Sequence, residues 1–131
     1  MKSDIRSIND IRQVVDTFYD KAIIDEQIGH FFTQVMKIQL TEHLPIIYSF
    51  WDSVLFGTAS YKGNVMLKHL ELNRISPISD QHLDRWLHLW TITTQELYTG
   101  VKTEEMLQRA RDIKALMSQK INRSGDPRNI Q

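Results

Sequence analysis

Apolar residues recur every three or four positions along most of this chain, which is the spacing of one face of an α-helix. The pattern predicts helices at about 7–24, 41–56, 80–98 and 103–121. No stretch alternates strictly between apolar and polar residues over more than a few positions, so no strand is predicted. The pattern therefore indicates an all-α protein with loops of uneven length.

Residues that favour helix ends stand at the ends of these segments. Asp80 and Thr103 are cap candidates for the third and fourth helices, and Gly57 and Gly100 follow the second and third. Pro45 falls within the first turns of the second helix, where the early N–H groups have no partner within the helix. We therefore expect this proline to be tolerated.

Three shorter segments complete the chain. A turn followed by a short helix is predicted for about residues 29–36, and another short helix for about 65–72. Residues 122–131 contain glycine and proline and are expected to fray. We thus expect one domain, 1–131, with its core between about residues 7 and 121.

The second short helix carries a histidine in an apolar ribbon, Met66-Leu67-Lys68-His69-Leu70-Glu71-Leu72. Its leucines favour burial and draw His69 at least partly with them. A buried imidazole needs partners for its ring nitrogens. Two interpretations stay open at this point: His69 is a core histidine bonded to a backbone carbonyl, or it binds a metal or cofactor.

Composition excludes several classes of function. The chain has no cysteine, so disulfides, thiolate catalysis, iron–sulfur clusters and cysteine-type zinc sites are excluded. Sixteen basic residues balance sixteen acidic ones, which gives no global attraction to nucleic acid or to anionic membranes. There is no apolar run of about 18 residues and no signal-peptide pattern. We therefore expect a cytoplasmic protein that binds neither nucleic acid nor membrane.

Local catalytic and metal-binding motifs are also missing from the sequence. No two of the five histidines stand four positions apart, and neither His-Glu-x-x-His nor Glu-x-x-His occurs. The five glycines form neither a phosphate-binding loop nor a nucleophile elbow. A metal site with two local ligands and the common hydrolase, kinase and dinucleotide-binding sites are therefore excluded.

Four polar-tipped rings lie on four separate predicted helices: Tyr19, His43, His69 and Trp86. A buried tyrosine or tryptophan left without a hydrogen-bond partner costs on the order of 1–3 kcal/mol. A bound polar ligand could supply the partner. Alternatively, each ring packs in the core and bonds to a nearby carbonyl group.

The order of several short motifs resembles the third group of the truncated haemoglobins. The similarity covers about residues 10–121, and its most specific part is the spacing from Glu42-His43 through Phe50-Trp51 to Lys68-His69. The paired glycines of the first and second groups are missing, as in the third group. The other motifs are Phe18-Tyr19, Phe32, Tyr61-Lys62-Gly63-Asn64, Lys68-His69-Leu70 and Arg85-Trp86-Leu87.

The resemblance implies a shortened globin fold, two helices over two, around one haem b (iron protoporphyrin IX). His69 would be the proximal iron ligand. Tyr19, His43 and Trp86 would surround the sixth coordination site as distal residues, and Phe32 would wedge against the haem. Contacts to the haem propionates are expected from three residues: Lys68, Tyr61 and Arg74.

The resemblance also implies a ligand-binding function. Tyr19 and Trp86 are donors and His43 can be one, and each bond of about 1 kcal/mol to a partly negative ligand such as O2 slows its release roughly fivefold, so two or three bonds make release slow. Slow release suits redox chemistry on O2, NO, peroxide or nitrite better than oxygen transport, with electrons from a separate reductase. The alternative is a haem-free helical sensor or interaction module on a globin fold, in which His69 is structural.

Overall fold

The computed structural model describes residues 2–35, 40–59, 61, 63, 73 and 76–124, and most of these residues are helical. No strand occurs among these residues, so the all-α prediction is confirmed. None of the described helices is both long and apolar enough to cross a membrane. The described elements are α1 (Ile8–Ala22), a π-helical turn (Phe31–Val35), α2 (Leu40–Phe56), α3 (Asp80–Leu97) and α4 (Val101–Ser124).

The predicted and observed helix ends differ by up to three residues, and α1, for example, ends at Ala22 rather than at 24. The N-cap of α3 is Ser79, and Asp80 is the first helical residue, so the prediction of Asp80 as the cap was wrong. Helix α4 begins at Val101 rather than Thr103, and it is helical to Ser124, three residues beyond the predicted end at 121. The short helix predicted at 65–72 and residues 125–131 lie outside the described residues.

Each of the four long helices packs on at least two of the others. Helix α1 packs on α2 and α3, α3 packs on α4, and α2 also contacts α4. Helix α1 supplies one wholly apolar face to this interior, as its spacing predicted. The buried side chains of that helix are Ile11, Val14, Val15, Phe18, Tyr19 and Ala22. One residue of the predicted apolar stripe of α4, Leu116, is instead 48% exposed.

Two tryptophan rings stack where α2 meets α3. The ring centroids of Trp51 and Trp90 are 5.0 Å apart with 16° between the planes. Phe18 of α1 meets Trp90 edge-on at 5.2 Å. Such pairs contribute about 0.5–1.5 kcal/mol beyond the area they bury. The three rings therefore hold α1, α2 and α3 together at one point of the core.

An aspartate distant in sequence caps the start of α4. The Asp4 carboxylate accepts hydrogen bonds from the backbone N–H groups of Lys102 and Thr103 at 2.9 and 2.8 Å, and from the Thr103 hydroxyl at 2.8 Å. Gly100 has φ +142°, and a Cβ atom there would lie 2.4 Å from Asp4 Cγ. A glycine is thus needed for the carboxylate to approach the helix. This cap ties the N-terminal segment to the fourth helix.

We expect Asp4→Ala to lower the free energy of unfolding by about 1–2 kcal/mol, because α4 loses its cap. Burial opposes ionisation of Asp4, but its hydrogen bonds outweigh that effect and hold its pKa below the usual value. The contribution is therefore full above the unfolded-state pKa of about 3.9 and is lost as the pH falls through the folded-state value. Urea unfolding of wild type and Asp4→Ala at neutral and acid pH measures this difference in the free energy of unfolding.

The matched control is Asp20→Ala, which removes an exposed aspartate from α1. Its effect should stay within about 0.5 kcal/mol at each pH. An Asp4→Ala protein as stable as the control variant at neutral pH would contradict the capping role.

Candidate functional site

A buried tyrosine and a histidine from different helices form the centre of the candidate site. Tyr19 lies near the end of α1 and is 7% exposed. Its Oη atom is 2.8 Å from Nε2 of His43, in the first turn of α2. Two of the three residues predicted to be distal are therefore in direct contact.

Phe32 adds a third ring to this pair. Its ring meets the Tyr19 ring edge-on, with 5.3 Å between the centroids and 75° between the planes. The Tyr19 and His43 rings are related in the same way, at 5.5 Å and 78°. Phe32 belongs to the π-helical turn, so three successive elements of the chain each supply one ring to the site.

Pro45 does not prevent the contact between Tyr19 and His43. Helix α2 is continuous through Pro45. A proline inside a helix has no N–H to bond the carbonyl group four residues earlier, which here belongs to Thr41. Thr41 is exposed, so water can bond that carbonyl group instead. The proline is tolerated for this reason.

The Tyr19 hydroxyl stays protonated. Burial raises the pKa of Tyr19 well above its usual value. At neutral pH the group is therefore an O–H that can both donate and accept one hydrogen bond, not a phenolate. The tautomer of His43 decides which of the two partners donates in their bond.

Trp86 and the residue before it lie on α3. Trp86 is half-buried and packs against the hydrophobic core. Arg85 forms an ion pair with Asp25, with Nε and Nη2 each 2.8 Å from the Asp25 carboxylate. Only 6% of the Asp25 side chain is exposed. This pair joins α3 to the segment after α1 and so helps to place Trp86 relative to Tyr19.

Of the three residues predicted to contact the propionates, the structure describes only Tyr61. Tyr61 is half-buried, and its ring meets Phe50 of α2 edge-on at 5.2 Å. Its backbone N–H donates to Ser53 Oγ at 2.9 Å. Lys68, Arg74 and the predicted iron ligand His69 lie outside the described residues. The structure thus places Tyr61 beside α2 and leaves the other three as predictions.

The described side chains fit an apolar cofactor with a small polar ligand. Several apolar residues that pack on the buried core remain partly exposed, so apolar surface is available for a flat apolar group to cover. Tyr19 and His43 add polar groups beside one of them, Phe32. Within the described ranges, no cluster of three or more carboxylate or histidine side chains could itself hold a metal ion. The partly exposed apolar residues include Phe32, Leu44, Ile47, Phe50, Trp86 and Leu87.

Two interactions near the site escaped sequence reasoning. The ion pair between Asp25 and Arg85 joins residues 60 positions apart, and no local pattern indicates it. The second is a reciprocal pair of hydrogen bonds between Ser79 and His82 at the start of α3. The serine three positions before a polar residue was a usable signal, since capping boxes have that spacing.

Comparison with known proteins gives one relative and one solved structure. No family model matches the chain. The chain is 28% identical over 116 residues to a group 3 truncated hemoglobin of Campylobacter jejuni, covering 86% of this chain and 89% of that protein. The crystal structure of a group III truncated hemoglobin from the same organism matches with a TM-score of 0.84 and 25% identity, covering 96% of this chain and 99% of that chain. Both similarities confirm the resemblance, and with it the truncated-globin fold.

A double-mutant cycle tests the bond between Tyr19 and His43. We expect Tyr19→Phe to lower the free energy of unfolding by about 1 kcal/mol, because it deletes the hydroxyl and keeps the ring. His43→Leu should cost about as much, because it leaves the hydroxyl without its partner. The double variant should be less destabilised than the sum, by about 0.5–1 kcal/mol in urea unfolding. Strict additivity would contradict the bond.

Proposed function

Because the chain has the truncated-globin fold and is similar to group III truncated haemoglobins, we propose that it binds haem b and holds O2 or NO at a polar distal site. The observation that carries this proposal is the part-buried 2.8 Å contact between Tyr19 Oη and His43 Nε2, beside the Phe32 ring. A paired hydroxyl and imidazole, with the Phe32 ring packed edge-on against the tyrosine, suit a small polar ligand on a flat apolar cofactor.

The sequence resemblance supports the assignment of the haem-holding residues. His69 is the proposed proximal ligand, with Phe32 packed against the haem and Lys68, Tyr61 and Arg74 near its propionates. Haem supplies a redox-active iron with one coordination position for a diatomic ligand. The protein has to hold that group, limit the access of water and place hydrogen-bond donors.

Tyr19 and His43 act together as donors in this proposal. When His43 carries its proton on Nε2, it donates to Tyr19 Oη, and the tyrosine hydrogen can then point at a ligand. When the proton is on Nδ1, Tyr19 donates to Nε2 instead. A change of tautomer thus switches the hydroxyl between the ligand and His43. Trp86, whose indole is a donor only, is proposed as the third group at the ligand.

The number of donors favours redox chemistry over oxygen transport. Tyr19 and Trp86 can each donate one bond of about 1 kcal/mol to the ligand, and together the two bonds slow its release roughly 25-fold. A protein that holds O2 this long can present it to NO, and one O2, one NO and one electron give one nitrate ion. Reduction of peroxide or nitrite is the related alternative. The chain is proposed to act in the cytoplasm with electrons from a separate reductase.

The absorption spectrum tests the cofactor and its ligand. Protein supplied with hemin should show a strong Soret band, and His69→Ala should lose most of it because the iron loses its axial bond. His88→Ala is the matched control, since His88 is exposed on α3 and should leave the band intact. Protein that stays colourless with hemin would overturn the proposal and favour a haem-free sensor or interaction module.

The rate of O2 dissociation tests the distal donors. We expect wild-type protein to release O2 slowly and Tyr19→Phe to release it about fivefold faster, because one hydrogen bond is deleted while the ring remains. Mixing the O2 form with carbon monoxide in a stopped-flow instrument measures the rate. Tyr98→Phe is the control, because the Tyr98 hydroxyl bonds Asp10 instead. An unchanged rate in Tyr19→Phe would show that Tyr19 does not contact the ligand.

A further inference from the structure

Helix α3, which carries Trp86, begins with a capping box that contains a histidine. The Ser79 backbone N–H donates to Nδ1 of His82 at 3.0 Å, and the His82 backbone N–H donates to Ser79 Oγ at 3.2 Å. Glutamate or glutamine commonly occupies the histidine position of this motif. An imidazole differs from both in that it takes up a proton near neutral pH.

The cap requires a neutral His82. Nδ1 accepts a hydrogen bond only when it carries no proton, and both ring nitrogens of an imidazolium are donors. Protonation therefore breaks the bond from the Ser79 N–H group. It also places a positive charge at the N-terminal end of a helix, where the helix dipole disfavours it. One proton thus removes a cap and adds a repulsive interaction.

His82 also contacts the segment that leads to the ligand site. Its ring meets Phe31 edge-on at 5.0 Å, and the centroid of the His30 ring is 5.8 Å away. Phe31 directly precedes Phe32, which contacts Tyr19. On α3 itself, Trp86 lies four residues after His82 and therefore on the same face, one turn further along. The cap is thus next to two parts of the proposed distal site.

We propose that His82 is a positioning residue for Trp86: in its neutral form it fixes the first turn of α3 and the indole one turn later, so that ligand retention weakens in acid. The inference rests on the proposed haem site, since it assigns Trp86 to the bound ligand. In this inference His82 does not touch the ligand, but it determines how firmly the donor Trp86 is held in position.

The surroundings of His82 oppose its protonation. Burial lowers the pKa of His82 below its usual value, and the nearby His30 lowers it further. Three acidic side chains of the elements around it are bonded to groups other than His82. Asp25 after α1 pairs with Arg85 of α3 at 2.8 Å, Asp84 of α3 pairs with Lys114 of α4 at 2.9 Å, and Asp80 of α3 bonds Ser118 of α4.

The direction of the pH effect follows from that lowered pKa. The folded chain prefers the neutral imidazole, whereas the unfolded chain protonates it near the usual value of about 6.5. The contribution of the cap is therefore complete above about pH 6.5. It declines as the pH falls toward the folded-state pKa, and it levels off below that value.

Two variants separate the cap from the titration. His82→Gln can keep the capping box, because the amide oxygen accepts the Ser79 N–H bond, but it does not titrate. His82→Leu removes both properties. His88→Gln is the matched control, since His88 is an exposed histidine on the same helix. Each variant is compared with wild type in haem-loaded protein from about pH 5 to pH 8.

The first readout is the rate of O2 dissociation. In wild type and His88→Gln the rate should rise in acid by up to about fivefold, the effect of losing the bond from Trp86. His82→Gln should remove most of this rise and keep the slow rate. His82→Leu should release O2 at the faster rate at every pH. A rise that persists in His82→Gln would overturn the proposal.

The second readout is hydrogen exchange of the Ser79 and His82 amides, which does not depend on ligand chemistry. Relative to His82→Gln at the same pH, these wild-type amides should lose about fivefold in protection in acid, which corresponds to ~1 kcal/mol for a cap. Equal protection across this range would overturn the proposal.

The failure of this inference can be told apart from that of the proposed function. Loss of amide protection in acid, in protein that does not bind hemin, would retain the titrating cap and reject the haem site. The opposite result has three parts: a Soret band, faster O2 dissociation in Trp86→Phe, and a wild-type O2 dissociation rate that does not depend on pH. It would retain the haem site and reject the role of His82.

Discussion

The arrangement of the candidate site depends on the hydrogen bond of one buried hydroxyl group. An unpaired Tyr19 hydroxyl would cost on the order of 1–3 kcal/mol, and His43 Nε2 at 2.8 Å supplies its partner. The bond can form only when the first turn of α2 lies against the end of α1. Phe32 then packs edge-on against the tyrosine ring. The same contact thus orders three elements and defines the chemistry at their junction.

The core behind the site determines where that hydroxyl points. Phe18 and Tyr19 are neighbours on α1, so their side chains project about 100° apart around the helix. Phe18 packs against Trp90, which stacks on Trp51. Once Phe18 is fixed in this way, Tyr19 has to face His43. Changes in the tryptophan stack should therefore reach the site through the rotation of α1, although neither tryptophan bonds the Tyr19 hydroxyl.

Sequence periodicity predicted the four described helices because helix formation and amphipathic patterning depend on residues three and four positions apart. It could not predict contacts made by tertiary packing. Asp4 caps α4 from almost a hundred positions away. The helix begins at Val101, whereas periodicity predicted a start at Thr103. The contact between Tyr19 and His43 was likewise beyond periodicity. These two residues were identified from the motifs shared with a known family, and such a resemblance indicates which residues lie close together in the fold.

The proposed distal donors differ in their response to acid, and this difference follows from their surroundings. Tyr19 keeps its hydroxyl hydrogen throughout the acid range, since burial raises its pKa, and its partner His43 decides whether that hydrogen points at the ligand. The indole of Trp86 does not titrate either, but the helix that holds it begins at a cap requiring neutral His82. All of these donors favour ligands that draw negative charge over ligands that do not. In the proposed haem complex, protonation of His82 would therefore weaken the contribution of Trp86 both to this preference and to ligand retention, so the two should decline together.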